Sequence, residues 1–296
     1  MSAASPANSR VVRSRLRPTE RLARIWQYRE LLVGMVRKEL KVKYKNSVLG
    51  FAWSLLNPLL YLVVFYIAFQ VVLKAGIEAF PIYLLSGLLV WNLFSVGVSG
   101  ATGSVVANAG LVKKVAFPRE ILPIASVGSA LVNFFLQGAV LIVVLAVFRW
   151  SVAWEYMVLL PFALVAILLI GCALGILLSA VNVYLRDTAH FLELALLAWF
   201  WMTPIVYQFT LIGDRDDWVT KLFMLNPITP ITLVFQRALY AQLTSDMNNT
   251  VTQVLPDWSW SSYAAYLGYS FAFGAVVLMI AVVVFGRLEA NFAEEL

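Results

Sequence analysis

The chain has 296 residues, of which 61% are hydrophobic and only 13% are charged, and its mean hydropathy is +0.83. Because soluble domains are about a quarter charged, this composition excludes a water-facing shell and predicts an integral membrane protein. A single cysteine, Cys172, and a single histidine, His190, exclude a disulfide framework, a thiolate metal site and a histidine-based triad. The net charge of +6 is placed for contact with a membrane surface rather than with nucleic acid.

Six apolar runs are long enough to cross a bilayer as helices. A hydrocarbon core about 30 Å thick needs about 20 helical residues, and a charge at its centre costs about 2.5–3.5 kcal/mol on insertion scales. The runs are nearly free of charge and predict an all-α bundle of six transmembrane helices, at residues 51–73, 80–106, 121–148, 157–181, 191–209 and 263–285.

Lysine and arginine residues set the predicted orientation of the bundle. Residues 1–50 carry twelve of them. If that segment is cytosolic, six crossings place five further basic residues in the cytosol and leave five outside. This distribution follows the positive-inside rule, so both termini are predicted to be cytosolic. The first apolar run follows a long basic lead, so we expect no cleaved secretory signal.

Residues 222–241 are apolar enough to resemble a seventh span, but polar residues and prolines interrupt them. Asn226, Pro227, Gln236 and Arg237 would be costly in a helix exposed to lipid. Broken backbone at membrane depth is tolerated where protein or a water-filled cavity surrounds it. The segment is therefore predicted to be a re-entrant helical hairpin on the outer side, and a true seventh span is the alternative.

The segment before the first span is predicted to form an amphipathic interface helix, residues 25–46. Apolar residues recur at helical spacing from Tyr28 onward. The opposite face is basic, with Arg37, Lys41 and Lys45 at intervals of four and Lys38 beside them. Such a helix lies along the inner headgroups of a membrane. A basic anchor that only fixes topology explains the charges equally well.

No catalytic or metal-binding motif is recognised in the sequence. It lacks a G-x-x-x-x-G-K-[ST] phosphate-binding loop, an H-E-x-x-H motif and a C-x-x-C motif. Asp214, Asp216 and Asp217 flank Arg215 in one predicted outer loop, where a solvated surface is the simplest interpretation. We therefore expect neither an enzyme nor a metalloprotein.

The connection between the second and third spans is short and basic, and it contains Pro118 and Pro123. A short helix that ends at a proline would form a rigid surface for a soluble partner. That surface would present four charged side chains, those of Lys113, Lys114, Arg119 and Glu120. A basic loop that only fixes topology is the alternative.

Polar and small residues inside the spans predict helix packing. Asn133 and Gln137 lie four residues apart in the third span and therefore share one helical face. An interhelical hydrogen bond is the favoured interpretation, ahead of a substrate contact. Gly171 and Gly175 form a G-x-x-x-G pattern that predicts packing within the bundle, with self-association as the alternative.

Aromatic residues make up 14% of the chain. Those at helix ends are typical interfacial anchors. Tyr61 and Phe65 in the first span, and Trp201 and Tyr207 in the fifth, are candidates for a conduit, because aromatic faces stack on sugar rings. Contact with lipid is the alternative for each of them.

Five stretches of sequence, in this order, together resemble one known family. They read RKELKVKYKNSVLGFAWSLLNPLLY (37–61), LVKKVAFPREILP (111–123), NVYLRDTAHF (182–191), WFWMTPIVY (199–207) and LNPITPITLVFQRALY (225–240). As a set they resemble the ABC-2 type transporter permeases of the polysaccharide-export branch, and the second stretch resembles the coupling helix of that family. The resemblance covers residues 25–290 and leaves out the basic segment 1–24 and the cytosolic tail 291–296.

The resemblance implies a permease homodimer in the bacterial inner membrane that works with two copies of an ATP-binding-cassette ATPase. ATP and Mg²⁺ would bind in that partner, and this chain would hold no cofactor. In the family the interface helix and the coupling helix receive the ATPase. The implied coupling contacts are those of Lys113, Lys114, Phe117, Pro118, Arg119 and Glu120.

In the same family the first and fifth spans face a shared conduit, which implies a lining of Tyr61, Phe65, Trp201 and Tyr207. Family substrates are glycans on a polyprenyl-pyrophosphate lipid, such as O-antigen, capsule, teichoic acid or cell-wall galactan, and the Ala-, Val- and Arg-rich composition hints at galactan. An exporter of drugs or lipids is the second interpretation. A membrane-embedded glycan-processing enzyme would need a polar cluster, which only residues 214–217 offer, and a passive channel would not need the basic surface.

Overall fold

The computed structural model describes residues 24–45, 53–74, 76–213, 217–247 and 250–296. Four parts of the sequence predictions lie outside these residues. They are the basic segment 1–24 apart from Arg24, residue 46 of the interface helix, residues 51, 52 of the first span, and Asp214 and Asp216 of the acidic loop.

Helices make up most of the described structure, as the all-α prediction requires. The first two are α1 (Arg29–Tyr44) and α2 (Trp53–Phe65), and α2 continues as a π-helical turn over Tyr66–Val72. The others are α3 (Phe80–Ala107), α4 (Ala109–Lys114), α5 (Ile121–Val147), α6 (Trp154–Met157), α7 (Leu159–Tyr184), α8 (Thr188–Trp201), α9 (Trp218–Leu225), α10 (Ile228–Leu239), α11 (Trp260–Leu288) and α12 (Phe292–Glu295). Short 3₁₀ turns occupy Phe209–Leu211 and Glu289–Asn291.

Four helical segments among the described residues are long and apolar enough to cross a membrane. They are Phe80–Ala107, Ile121–Val147, Trp154–Tyr184 and Trp260–Asn291. These segments match the predicted second, third, fourth and sixth spans. Helix α3 is central and mostly buried, with α5 and α7 packed against it and α11 packed on α7. The chain is therefore a multi-pass membrane protein.

The contact between α3 and α7 depends on a glycine. A Cβ atom at Gly175 would lie 2.6 Å from the Cβ of Ala101, so any side chain there would clash. A Cβ at Gly171 would be 3.8 Å from a methyl group of Val127, in ordinary contact. Small residues let membrane helices approach closely. The prediction that this pattern serves packing within the bundle is confirmed.

The two remaining predicted spans are shorter. The first is helical from Trp53 to Val72, including the π-helical turn. The fifth was predicted over residues 191–209, but α8 ends at Trp201; this prediction is wrong for the last eight residues. The physical reason is Pro204, which disfavours helical backbone at the residue before it and lacks an N–H donor. A helix of 14 residues is about 21 Å long, less than the bilayer core.

The interruption predicted in residues 222–241 is confirmed. Helices α9 and α10 meet at Asn226-Pro227 with a bend of 96°, and we call them the bent pair. Every residue of α10 is buried except Arg237. Protein therefore surrounds this broken backbone, as it must at membrane depth.

A small hairpin joins α10 to α11 and was not anticipated from the sequence. Strands β1 (Thr244–Met247) and β2 (Thr250–Gln253) pair antiparallel, with Thr244 opposite Gln253. The hairpin docks beside the start of α3, where the Glu78 N–H donates to Ser245 Oγ at 2.8 Å.

Apolar side chains form two core clusters. The larger one includes residues of α3, of the bent pair and of the N-terminal halves of α7 and α11. The smaller one includes Val112, Phe117, Ile121, Phe285 and Phe292, and we call it the basic-end cluster. It joins the end of α3, α4, the start of α5 and the C-terminal segment, and it positions the surface described next.

Candidate functional site

The connections that carry most of the described basic residues meet at one end of the bundle, which we call the basic end. Helix α1, α4 and the C-terminal segment lie there. Lys38 Nζ donates to Asn108 Oδ1 at 2.7 Å, which joins α1 to the end of α3. Ser126 Oγ donates to Glu39 Oε1 at 2.7 Å, which joins α1 to α5. These polar contacts fix the interface helix across two spans.

The two faces of α1 differ as the sequence predicted. Leu31, Leu32 and Met35 are half-buried and pack against the basic-end cluster. The predicted basic face is solvent-exposed, with Arg37, Lys38, Lys41 and Lys45 all on the surface. Residues 24–27 are also helical, and a turn at Tyr28 separates them from α1. Tyr28 is the N-cap residue of α1, and Lys45 is its C-cap.

Residues 111–120, which we call the coupling segment, form the end of the short helix α4 and then an extended stretch. Lys113 and Lys114 lie in the last turn of α4, where positive charge favours the helix dipole, and both are exposed. The C-cap Val115 is extended, and the chain then turns into α5 at residues 118–120. The predicted helix therefore ends before Pro118, as expected.

Two of the predicted coupling residues are not on the surface. Phe117 is buried in the basic-end cluster, and only 4% of Glu120 is exposed. The prediction that the Glu120 side chain lies on the surface and faces a soluble partner is therefore wrong. Its position directly before α5 explains the burial, because a carboxylate at a helix N-terminus is favoured by the helix dipole. The exposed charged residues of the segment are the lysine pair, Lys113 and Lys114.

Arg119 holds the C-terminal segment. Its Nη1 donates to the Glu289 carbonyl at 2.6 Å, and its guanidinium lies 5.7 Å from the ring centroid of Phe292. Glu289 follows the last residue of α11, where helix carbonyls lack partners within the helix. Arg119 therefore acts as a cap for the last span rather than as a free surface charge.

Phe292 fixes the other side of this contact. It is fully buried, edge-to-face on Phe285 at 5.4 Å and tilted against Tyr184 at 6.3 Å. Tyr184 Oη also donates to the Leu288 carbonyl at 2.8 Å. The sequence predicts only a cytosolic tail at residues 291–296. A lone phenylalanine within this polar ending is the signal that could have predicted its docking.

The four candidate conduit residues lie together. Tyr61 stacks on Phe65 at 6.0 Å, and Phe65 stacks on Phe200 at 6.0 Å. Phe200 contacts Trp201 edge-to-face at 5.6 Å. Tyr207 Oη donates to the Trp201 carbonyl at 2.7 Å. The aromatic face formed by these residues thus joins the first predicted span to the fifth, and 44% of Tyr61 and 50% of Trp201 are exposed.

Two further aromatic residues, Phe200 and Phe69, support this aromatic face from behind. Phe200 bridges α2 and α8 and also contacts Trp91 of α3 at 5.5 Å. Phe69, in the π-helical turn, stacks on Phe80 at 6.2 Å. The aromatic spacing in the first span hints at such a row, but no sequence pattern indicates the π-helical turn.

Asn226 closes the broken end of α8. Its side-chain N–H₂ donates to Thr203 Oγ1 at 2.9 Å and to the Met202 carbonyl at 3.2 Å. Its Oδ1 accepts from Trp199 Nε1 at 2.8 Å and from the Ile228 N–H at 3.0 Å. One amide therefore satisfies backbone and side-chain groups at the end of α8 and caps α10.

The described residues form two distinctive surfaces, one at the basic end and one along the first and fifth predicted spans. Within the described ranges, no group of three or more His, Cys, Asp or Glu residues could hold a metal ion. The fold and these surfaces define a multi-pass membrane protein of the transporter class, with a basic face of exposed lysine and arginine at one end and an aromatic face along two spans.

Comparison with known proteins gives the family. The ABC-2 type transporter family matches residues 30–240, and the chain belongs to this family. It is 35% identical over 223 residues to the O-antigen export system permease protein RfbA of Myxococcus xanthus, which covers 75% of this chain and 85% of the relative. The protein of the same name from Klebsiella pneumoniae is 28% identical over 265 residues, covering 90% and 94%. The polysialic acid transport protein KpsM of Escherichia coli is 22% identical over 210 residues, covering 68% and 78%.

Proposed function

We propose that the chain is the permease subunit of an ATP-driven exporter that moves a polyprenyl-pyrophosphate-linked polysaccharide across the bacterial inner membrane. One observation carries this proposal. The similarity to permeases named for O-antigen export extends over 90% of the chain. It therefore includes both the basic end and the aromatic face.

In this proposal the basic end faces the cytosol and receives a separate ATP-binding-cassette ATPase. The exposed lysine pair of α4 and the basic face of α1 supply the contact surface. Described segments near both termini lie at this end, which supports a cytosolic location for both. ATP binding and hydrolysis, with Mg²⁺, occur in the partner, while this chain transmits motion through packed helices.

The aromatic face supplies the path in this proposal. Tyr61 and Trp201 are half-exposed although they lie in predicted spans, so their rings are available to a second copy of the chain and to a passing substrate. Two copies that bring these faces together would enclose a conduit with aromatic walls. Flat apolar walls hold successive sugar rings weakly enough for a long glycan to slide.

Depletion of the chain from its native cells tests the proposal. We expect a lipid-linked glycan to accumulate in the membrane while the surface glycan falls, and its sugar composition identifies the substrate. The measurement is extraction of polyprenyl-linked glycans after depletion. Unchanged surface glycan with no accumulated precursor would instead favour an exporter of drugs or lipids.

Complementation of the depleted cells extends the same experiment to the path. Trp201→Ala should lower surface glycan with normal membrane abundance, because it removes an exposed ring from the aromatic face. Trp218→Ala is the matched control, since Trp218 is 72% exposed at the start of α9. Equal export by the two variants would place Trp201 against lipid.

A further inference from the structure

A polar cleft lies beside the interface helix, and none of the four candidate conduit residues lines it. It consists of two adjoining cavities, of about 290 and about 470 Å³, which share Lys43, Val96 and Asn133 in their walls. The walls come from α1, α2, α3 and α5. The cleft therefore opens between the interface helix and three predicted spans of a single chain.

The lining of this cleft is unusual for membrane helices. Amides and hydroxyls from two facing spans line it, namely Asn92, Ser95 and Ser99 of α3 and Ser126, Ser129, Asn133 and Gln137 of α5. On another side of α5, a cavity of about 500 Å³ is lined almost entirely by apolar side chains. Polar residues inside a membrane are costly and commonly mark substrate pathways. The difference between the two cavities points to a polar ligand in the cleft.

Part of this lining has a structural use. Asn92 Nδ2 donates to Gln137 Oε1 at 3.1 Å, which confirms the predicted interhelical hydrogen bond for Gln137. Asn133 Nδ2 donates to the Ser129 carbonyl of its own helix at 3.2 Å. The bond between Asn92 and Gln137 uses one half of each amide. The Asn92 oxygen and the Gln137 N–H₂ group are the halves left for a ligand.

The hydroxyl groups of Ser95, Ser126 and Ser129 in the walls already donate their protons within the protein, which leaves their oxygens as acceptors for a ligand. Ser95 Oγ donates to the Trp91 carbonyl at 2.8 Å, and Ser129 Oγ donates to the Ser126 carbonyl at 2.9 Å. Ser126 Oγ donates to the Glu39 carboxylate, which itself lines the cleft. Since these protons are already used, the oxygens accept hydrogen bonds from a ligand that carries several O–H groups.

The charged and aromatic members complete the chemistry. Among the described residues, Lys43 is the cation that lines both cavities, and its positive charge favours a negative group there. Glu39 makes a bare anion a poor match and favours a ligand that also donates hydrogen bonds. Trp53 and Phe134 line the smaller cavity with flat apolar faces. A phosphate joined to a sugar meets all of these requirements.

We propose that the cleft binds the sugar-phosphate head of a lipid in the cytosolic leaflet, with the phosphate at Lys43 and the sugar between Trp53 and the amides of Asn133 and Gln137. The assignment rests on the proposed function, which supplies a lipid of this chemistry. It adds a binding site lined by a single protomer, with different side chains from those of the aromatic face. The exposed basic face of α1 attracts anionic headgroups to the mouth of the cleft.

Binding to the assembled exporter in phosphatidylcholine nanodiscs tests this site. The probe is a fluorescent polyprenyl-pyrophosphate-linked N-acetylhexosamine. Lys43→Gln and Asn133→Leu should each weaken binding about tenfold, because each removes a hydrogen-bonding partner of the head. Lys221→Gln is the matched charge control, since Lys221 is exposed on α9 and distant from the cleft; its affinity should equal that of the wild type.

Competition separates the possible sources of the ligand. The proposal stands if unlabelled glycolipid displaces the probe and phosphatidylglycerol does not, while soluble N-acetylhexosamine 1-phosphate, which carries the head alone, displaces it only at higher concentration. Displacement by phosphatidylglycerol would overturn it in favour of a general headgroup site, and equal potency of the soluble sugar phosphate and the glycolipid would overturn it in favour of a soluble ligand. Unchanged affinity of Lys43→Gln would also overturn it, even if depletion confirms glycan export. If the Lys43 and Asn133 variants lose binding but depletion of the chain causes no lipid-linked glycan to accumulate, only the proposed function is contradicted.

Discussion

Helix α10 of the bent pair and the interface helix α1 differ in how much of their surface the rest of the protein covers. Every residue of α10 except Arg237 is buried, whereas α1 has no buried side chain among those the structure describes. Helix α10 is enclosed by α3, α7 and α11, and α1 packs mainly on α5. Segments with few buried contacts open at low free energy, so α1 is the element suited to move against the bundle.

The hydrogen bonds of polar side chains also differ between the bent pair and the basic end. At the bent pair, the amide of Asn226 satisfies four groups at once, and at the basic end each polar contact joins one donor to one acceptor. Loss of a shared buried partner leaves several groups unsatisfied, and loss of an exposed pair leaves them to water. The bent pair should therefore be the stable part of the molecule and the basic end the adaptable part.

Asn226→Ala should have the largest effect on stability. Removal of the amide leaves the Trp199 indole N–H and the Met202 and Thr203 groups without their partner. We expect a loss of about 3 kcal/mol or more in the free energy of unfolding, measured by denaturant titration in mild detergent. Asn291→Ala is the control, because its side chain is exposed. Similar losses for the two variants would contradict the view of Asn226 as the centre of the bent pair.

Phe292→Ala should have an intermediate effect that is local to the basic end. A buried phenylalanine in a core costs about 3–5 kcal/mol when truncated, but a terminal segment can detach without unfolding the bundle, so the global loss should be smaller. Hydrogen exchange should quicken in residues 289–296 and also in residues 113–120, which Arg119 connects to them.

Glu294→Gln is the control for this change, since Glu294 is exposed on the same short helix. Faster exchange confined to residues 289–296 would show that the C-terminal segment does not hold the coupling segment. Faster exchange in both segments would show that the C-terminal segment stabilises residues 113–120 through Arg119.

A combined Lys113→Gln and Lys114→Gln variant should have the smallest effect on stability. Both side chains are exposed, and surface changes of this kind alter stability by no more than about 0.5 kcal/mol. Binding of the ATPase subunit should nevertheless weaken about tenfold, since charges at an interface set recognition and association rate. Co-purification and titration of the ATPase measure this loss, and Lys221→Gln should bind as well as the wild type. Undiminished binding would move the docking surface to α1.

Local sequence patterns were sufficient for much of the fold. The break at Asn226-Pro227 was predictable because proline and amide groups are costly in a lipid-exposed helix. The exposed face of α1 followed from its helical spacing. The early end of α8 was missed although Pro204 signals it, because the surrounding apolar run resembles a span.

The candidate site was only partly predictable. Lys113 and Lys114 are exposed as expected, whereas Glu120 is buried and Arg119 is bound to the end of α11. The contact of Arg119 depends on a residue that lies 170 positions further along the chain. The cleft around Asn133 was missed for the same reason, since Asn92, Glu39 and Lys43 reach it from other helices.

The sequence by itself determined that this is a multi-pass, all-α membrane protein of the ABC-2 transporter family, because hydropathy, charge placement and motif order are properties of the chain. Only the tertiary structure decided which charged residues remain exposed, how the C-terminal segment holds the coupling segment, and where polar faces enclose a cleft. The physical reason is that helical periodicity defines the faces of each helix, while the residues that cover a face come from distant parts of the chain.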